Sequence, residues 1–137
     1  MDVKKELFNY NTYKAKLIML EKRKSELYEI HMTLGAVSYD GIPAKTTFQE
    51  SKIEKQAVKI ADERQDIEKE IKEHQSKIDV LDSLIRILDD NKRTVIIERF
   101  INGRKIVDIA SEMRKDVTTI AKAIDKSIIM LNSIKIQ

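Results

Sequence analysis

The chain has no cysteine, one proline and three glycines among its 137 residues. Without cysteine, a disulfide framework and a thiolate metal site are both excluded. The scarcity of Gly and Pro leaves few places to turn, and with 36% charged residues the composition is that of a helical protein. Apolar runs are only a few residues long, so no transmembrane helix is expected. The start, Met1-Asp2-Val3-Lys4-Lys5-Glu6, lacks a following apolar core and does not read as a secretory signal, which makes the cytoplasm the expected compartment. The glycines stand apart at positions 35, 41 and 103, so no Gly-rich phosphate loop is present.

Side chains able to do chemistry are equally sparse. His31 and His74 are the two histidines, each within a long helical pattern on or near its apolar stripe, with no third ligand converging on them. The many carboxylates alternate with Lys at helical spacing, as on a solvated face. Ser127 stands beside Lys126 and near Asp125, but neighbours on one helix do not converge on a substrate. The tyrosines are too scattered for a single-strand stacking platform. No catalytic residue, metal or cofactor is expected, and no enzymatic activity.

What the chain does have is apolar periodicity. Residues 3–34 are predicted as one helix, with Leu17, Leu20, Leu27, Tyr28, His31 and Leu34 on one stripe. Leu7, Tyr10 and Tyr13 extend the stripe backwards, past Asn9 and Asn11. Residues 35–47 interrupt it with Gly35, Asp40-Gly41 and Pro43. Val37, Tyr39, Ile42 and Phe48 in and beside this stretch are read as a staple folded back on the helices, or as a partner contact. Residues 49–88 form the longest predicted helix, with Ile53, Ala57, Ile60, Ile67, Ile71 and Ile78 at roughly heptad spacing and Leu81, Leu84, Ile85 and Leu88 continuing the stripe. A helix of that length needs something to pack against. Residues 3–34 returning antiparallel, and a second chain beside that hairpin, satisfy the pattern equally.

Asp90 or Asn91 is the expected cap of the next helix, over 92–101, which Asn102-Gly103 ends. Further helices are expected near 105–113 and 116–132. The fold class is therefore all-α: a long antiparallel helical hairpin over 1–90, for oligomerisation or partner binding, followed by a small helix-turn-helix bundle over 91–137. Charge divides along the same line. Residues 1–90 hold 16 basic and 18 acidic groups, and residues 91–137 hold 10 and 5. A positive field at the last third favours a polyanion.

The last two helical patterns carry the functional expectation. Ala110 is the small residue wanted at a close helix crossing. Ile106, Ile109 and Met113 supply the core on its helix, and Ile120 and Ile124 hold the second helix from behind. Asp116 is placed to cap that second helix. Its outer face then offers Thr118, Thr119, Lys122 and Lys126, with Lys115 in the turn. A threonine can meet a base through its hydroxyl or its methyl, and lysines suit phosphate positioning. Arg93, Arg99 and Arg104, on the preceding helix and its exit, are further DNA-backbone contacts or solubilising charges. The expected partner is double-stranded DNA. Dimerisation through the hairpin would let two such modules read two half-sites. A structural or assembly protein, and a small terminase-like DNA-packaging adaptor, are the competing readings.

The segment from Leu81 to Leu131 resembles the fourth region of bacterial sigma factors. The resemblance is carried by Arg93-Thr94-Val95-Ile96, Arg99-Phe100, Asn102-Gly103, Asp108-Ile109-Ala110, Val117-Thr118-Thr119-Ile120 and Lys126-Ser127. Arg114-Lys115 stands where a small residue is common in that family, and Asp116 where a Ser cap is usual. With its charged N-terminal hairpin, Ile42-Pro43 loop and Glu54-Lys55-Gln56-Ala57 helix start, most of the chain resembles small phage and prophage transcriptional regulators of the ArpU and RinA type. That resemblance implies an activator of late or packaging genes working with host RNA polymerase.

Overall fold

Helix formation starts at the second residue, where the Asp2 carboxylate accepts a hydrogen bond from the Lys4 backbone N–H at 3.0 Å and caps α1 (Val3–Phe8). The computed structural model describes residues 2–39 and 47–135. After α1 come α2 (Tyr10–Tyr39), α3 (Thr47–Ile87), α4 (Asp90–Ile96), a π-helical turn (Ile97–Ile101), α5 (Ile106–Met113) and α6 (Val117–Lys135). The chain is all-α, and no strand occurs among the described residues.

α3 is the longest helix, as its apolar repeat predicts, and it begins two residues earlier and ends one earlier than expected. The single helix expected over 3–34 is instead two. Asn9 sits between them as the C-cap of α1, at φ −89° and ψ 0°, still right-handed but at the margin of the helical region. Asn competes for nearby backbone groups and favours such a break. At its other end α2 does not stop at Gly35 but runs on to Tyr39; a lone glycine weakens a helix by only about 1 kcal/mol and need not end it. The Asp40–Pro43 turn and the side chains of the staple expected from Val37, Tyr39, Ile42 and Phe48 lie outside the described residues.

The chain forms two compact units, and they do not divide at residue 90. One comprises residues 1–14 and 76–137, the other residues 15–75. The first fourteen residues belong with the C-terminal helices because α1 packs on α6 and on the π-helical turn. Val3 and Leu7 are wholly buried. The Val3 N–H donates to Asn132 Oδ1 at 3.0 Å, and the Asn11 amide donates to the Ile101 carbonyl. Phe8 meets Phe100 edge-on at 4.7 Å between ring centres. Leu81, Leu88, Ile96 and Leu131 are among the other deeply buried side chains of this unit. Each such side chain contributes about 1.5–3 kcal/mol on burial.

Two tyrosines tie α2 to its neighbours in the same unit. Tyr10 donates its hydroxyl proton to Asp82 at 2.7 Å, and Tyr13 donates to Glu6 at 2.8 Å. Burial pushes both phenols above their ordinary value of 10.0, and the carboxylate partners add to the shift. The folded chain therefore keeps two protons that the unfolded chain releases above about pH 10. Their contribution is complete below that pH and is lost as pH rises through the raised values. Denaturation of the Tyr10→Phe, Tyr13→Phe double variant between pH 8 and 11.5 is expected to show a shallower alkaline fall in stability than the wild type. Parallel alkaline limbs would overturn this assignment.

In the unit of residues 15–75, pairings run in opposite directions along α2 and α3. Arg23 binds Glu63 through Nε at 3.0 Å, Lys24 lies 3.7 Å from Glu68, and Ile30 and Leu34 share a hollow with Gln56 and Ile60. The Arg64 guanidinium lies over the Tyr28 ring. These ion pairs are exposed to solvent, which screens them, and they add little to stability. Among the described residues of this unit, Leu27 and Ile67 alone are fully buried hydrophobics; Leu17, Leu20, Leu34, Ile53, Ile60 and Ile71 are half-exposed.

Candidate nucleic-acid interface

The C-terminal end of α3 fixes where the last helices begin. Asp89, rather than the expected Asp90 or Asn91, caps α4, accepting from the Lys92 N–H at 2.9 Å. Its extended backbone (φ −65°, ψ 166°) suits a cap, whereas Asp90 is already helical. Arg93 closes the preceding helix. Its guanidinium donates to the carbonyls of Ile85, Arg86 and Leu88 and pairs with Asp90. A helix ends with unpaired carbonyls, and one planar fork here satisfies three of them.

The π-helical turn and the short connection after it carry the other two arginines of interest. Arg99 donates to the Arg104 carbonyl at 3.1 Å and lies 5.9 Å from the centre of the Phe8 ring. Arg104 bridges Glu112 on α5 and Glu98 in the turn, and these two partners push its pKa up. Gly103, at φ +68°, supplies the left-handed residue that reverses the chain, as Asn102-Gly103 predicts. All three arginines are therefore engaged with the protein's own carbonyls and carboxylates.

α5 and α6 pack on each other, and α6 also packs on α1 and α4. Ile109, Ala110, Ile120 and Ile124 are buried, while Ile106 and Met113 are half-buried at the edge. The connection is the three residues Arg114, Lys115 and Asp116. Arg114 is left-handed (φ 57°, ψ 46°). Its N–H reaches the Ser111 carbonyl, and the Lys115 N–H reaches the Ala110 carbonyl at 2.9 Å. This is the Schellman arrangement, made here without glycine. A side chain in that region costs about 1–2 kcal/mol. Arg114→Gly is thus expected to raise stability by about 0.5–1 kcal/mol, the relief being partly offset by a freer unfolded chain. A lowered Tm would show that the Arg114 side chain makes a stabilising contact.

Asp116 does not cap α6 with its carboxylate. Its backbone carbonyl accepts from the Ile120 N–H at 3.1 Å, and its side chain is exposed. Beyond it, Thr118, Lys122 and Lys126 follow at four-residue steps, with Thr119 beside them, all exposed. Lys115 is exposed in the turn. The structure thus gathers five of the eight expected DNA contacts on one solvent-facing surface, backed by buried Ile120 and Ile124, and gives Arg93, Arg99 and Arg104 internal partners. Ser127 is fully buried and donates to the Ala123 carbonyl at 2.7 Å, which satisfies its hydroxyl.

Sequence reasoning missed Val117, an apolar side chain 46% exposed at the first position of α6. Its only signal is its place ahead of the periodic residues Ile120 and Ile124. His31 is exposed, and His74 Nδ1 lies 2.8 Å from the Glu70 carbonyl. Among the described residues no group of side chains could hold a metal ion, and no helix is long and apolar enough to cross a membrane. No protein-family model, curated protein or solved structure matches this chain.

Proposed function

We propose that this protein is a sequence-specific double-stranded DNA-binding regulator of transcription, without enzymatic activity, in which α5, its turn and α6 form a helix-turn-helix. The observation that carries the reading is the row Thr118, Lys122, Lys126 with Thr119 beside it, exposed on a helix whose opposite side is locked by Ile120 and Ile124. A helix of 19 residues is about 28 Å long and fits the major groove along its first turns. The +5 balance of residues 91–137 supplies attraction for phosphate. The resemblance to sigma region four and to ArpU- and RinA-type regulators supports a phage activator working with host RNA polymerase.

The half-exposed apolar seam of residues 15–75 favours a second copy as its cover. In this reading the antiparallel hairpin of α2 and α3 dimerises the protein, and each protomer reads one half-site.

The test is a set of binding isotherms for selected and scrambled duplexes over a range of salt concentrations. Lys122→Ala is expected to weaken both duplexes alike and to lower the slope of log K against log salt by about 1, as for one lost phosphate contact. Isotherms unchanged by the Thr118, Thr119, Lys122 triple alanine variant would remove α6 as the reading helix.

A further inference from the structure

We infer that α6 reads thymine, through the 5-methyl groups that thymines present in the major groove, with Val117, Thr118 and Thr119 as the contacting side chains. This rests on the DNA-binding reading above and adds which base it selects. The first five residues of α6 are Val117, Thr118, Thr119, Ile120 and Ala121. The opening turns of a recognition helix are those that meet base edges. None of the five is Arg, Lys, Asn or Gln, so bidentate recognition of guanine or adenine is absent from this stretch. Ile120 is buried. What remains exposed are three β-branched side chains, Val117, Thr118 and Thr119, each of which carries a methyl group at the start of the helix. Val117 has no polar atom to offer a base, and its 46% exposure shows that the core leaves much of it uncovered.

Length and charge agree with this assignment. β-Branched side chains are short, so they touch a base only if the helix start sits deep in the groove. The long side chains lie on either side of them, Lys115 before and Lys122 after, both exposed and able to reach outward to phosphates. The exposed Asp116 carboxylate is repelled by phosphate, which disfavours a position of the turn's end directly on a strand.

The experiment selects duplexes with the full-length protein from a random pool, then rebuilds the best duplex with deoxyuridine in place of thymidine. Uracil pairs as thymine does but lacks the 5-methyl. Each contacted methyl that is removed is expected to weaken binding about three- to fourfold, a loss concentrated at two or three positions. The Thr118→Ser, Thr119→Ser double variant keeps the hydroxyls and deletes the two threonine methyls, leaving those of Val117 in place. It is expected to bind the thymine duplex more weakly than the wild type does and to lose less than the wild type on uracil, the remaining loss being that of the Val117 contact. Specific binding that ignores deoxyuridine would overturn the thymine assignment and leave DNA binding standing. Full uracil sensitivity in the serine variant would overturn the role of the two threonines. Failure to enrich any duplex would overturn the DNA-binding reading itself.

Discussion

Leu7→Ala is expected to destabilise the protein by about 2–5 kcal/mol, as much as truncating a residue at the centre of a larger core. Leu7 belongs to a helix of six residues near the start of the chain, where substitutions are ordinarily tolerated. Here it is wholly buried, in the unit that includes α4, α5 and α6. Removing three carbons leaves a cavity that a helix held at both ends cannot collapse to fill. Urea denaturation followed by circular dichroism measures the loss. A change under 1 kcal/mol would mean that α1 is not a structural part of this unit. The neighbouring Phe8→Ala makes a useful contrast. Phe8 is half-exposed, and its edge contact with Phe100 is worth about 0.5–1.5 kcal/mol beyond the area it buries.

The second large effect is expected at Ala110. Ala110→Leu should cost about 1–3 kcal/mol through overpacking and should also depress duplex binding. Ala110 is buried on α5, the helix that packs on α6 and on the π-helical turn, and its carbonyl holds the Lys115 N–H. Three added carbons must push α5 away from its neighbours or twist the turn that aims α6. Either movement displaces Thr118 and Thr119 from a groove that tolerates little misplacement. Ala110→Ser, which adds one small atom, is expected to lose far less on both counts. Thermal unfolding and DNA titration on the same preparations are the measurements. Native stability together with native affinity in Ala110→Leu would show that the space beside Ala110 is open.

How much of this was legible in advance depends on what each signal measures. α3 was legible almost to the residue because apolar steps of three, four and seven positions, sustained from Ile53 to Leu88, keep to one helical face. α5 and α6 were legible because their inner faces, Ile109-Ala110 and Ile120-Ile124, are clean and short. The break at Asn9 was not, since Leu7, Tyr10 and Tyr13 keep helical spacing across it. Periodicity reports that a face is buried and is silent about what buries it. For that reason the first fourteen residues read as the start of a hairpin, whereas Val3 and Leu7 lie in the unit of α4–α6. The arginines illustrate a related blindness. A basic residue near a recognition motif looks available for phosphate, and nothing local says that Arg93 is needed at the carbonyls of Ile85, Arg86 and Leu88, or that Arg104 lies between two glutamates. Nor does sequence reveal that Arg114 adopts a left-handed backbone, because the residue that signals one is glycine.

The unit containing α6 is assembled from two stretches of chain with residues 15–75 inserted between them. Bringing residues 1–14 back to residues 76–137 therefore spans an insertion of about 60 residues, a closure that costs roughly 3–4 kcal/mol for a flexible loop of that length. Sequence-local contacts among α4, α5 and α6 carry no such cost, so these helices can gather first and α1 dock last. A single peptide cleavage within residues 15–75 would change the nature of that docking. α1 would become a separate ligand for α6, held at whatever concentration the solution supplies rather than at the millimolar level a tether maintains. The stability of the α4–α6 helices would then rise and fall with protein concentration, and dilution alone would release the segment that packs against α6.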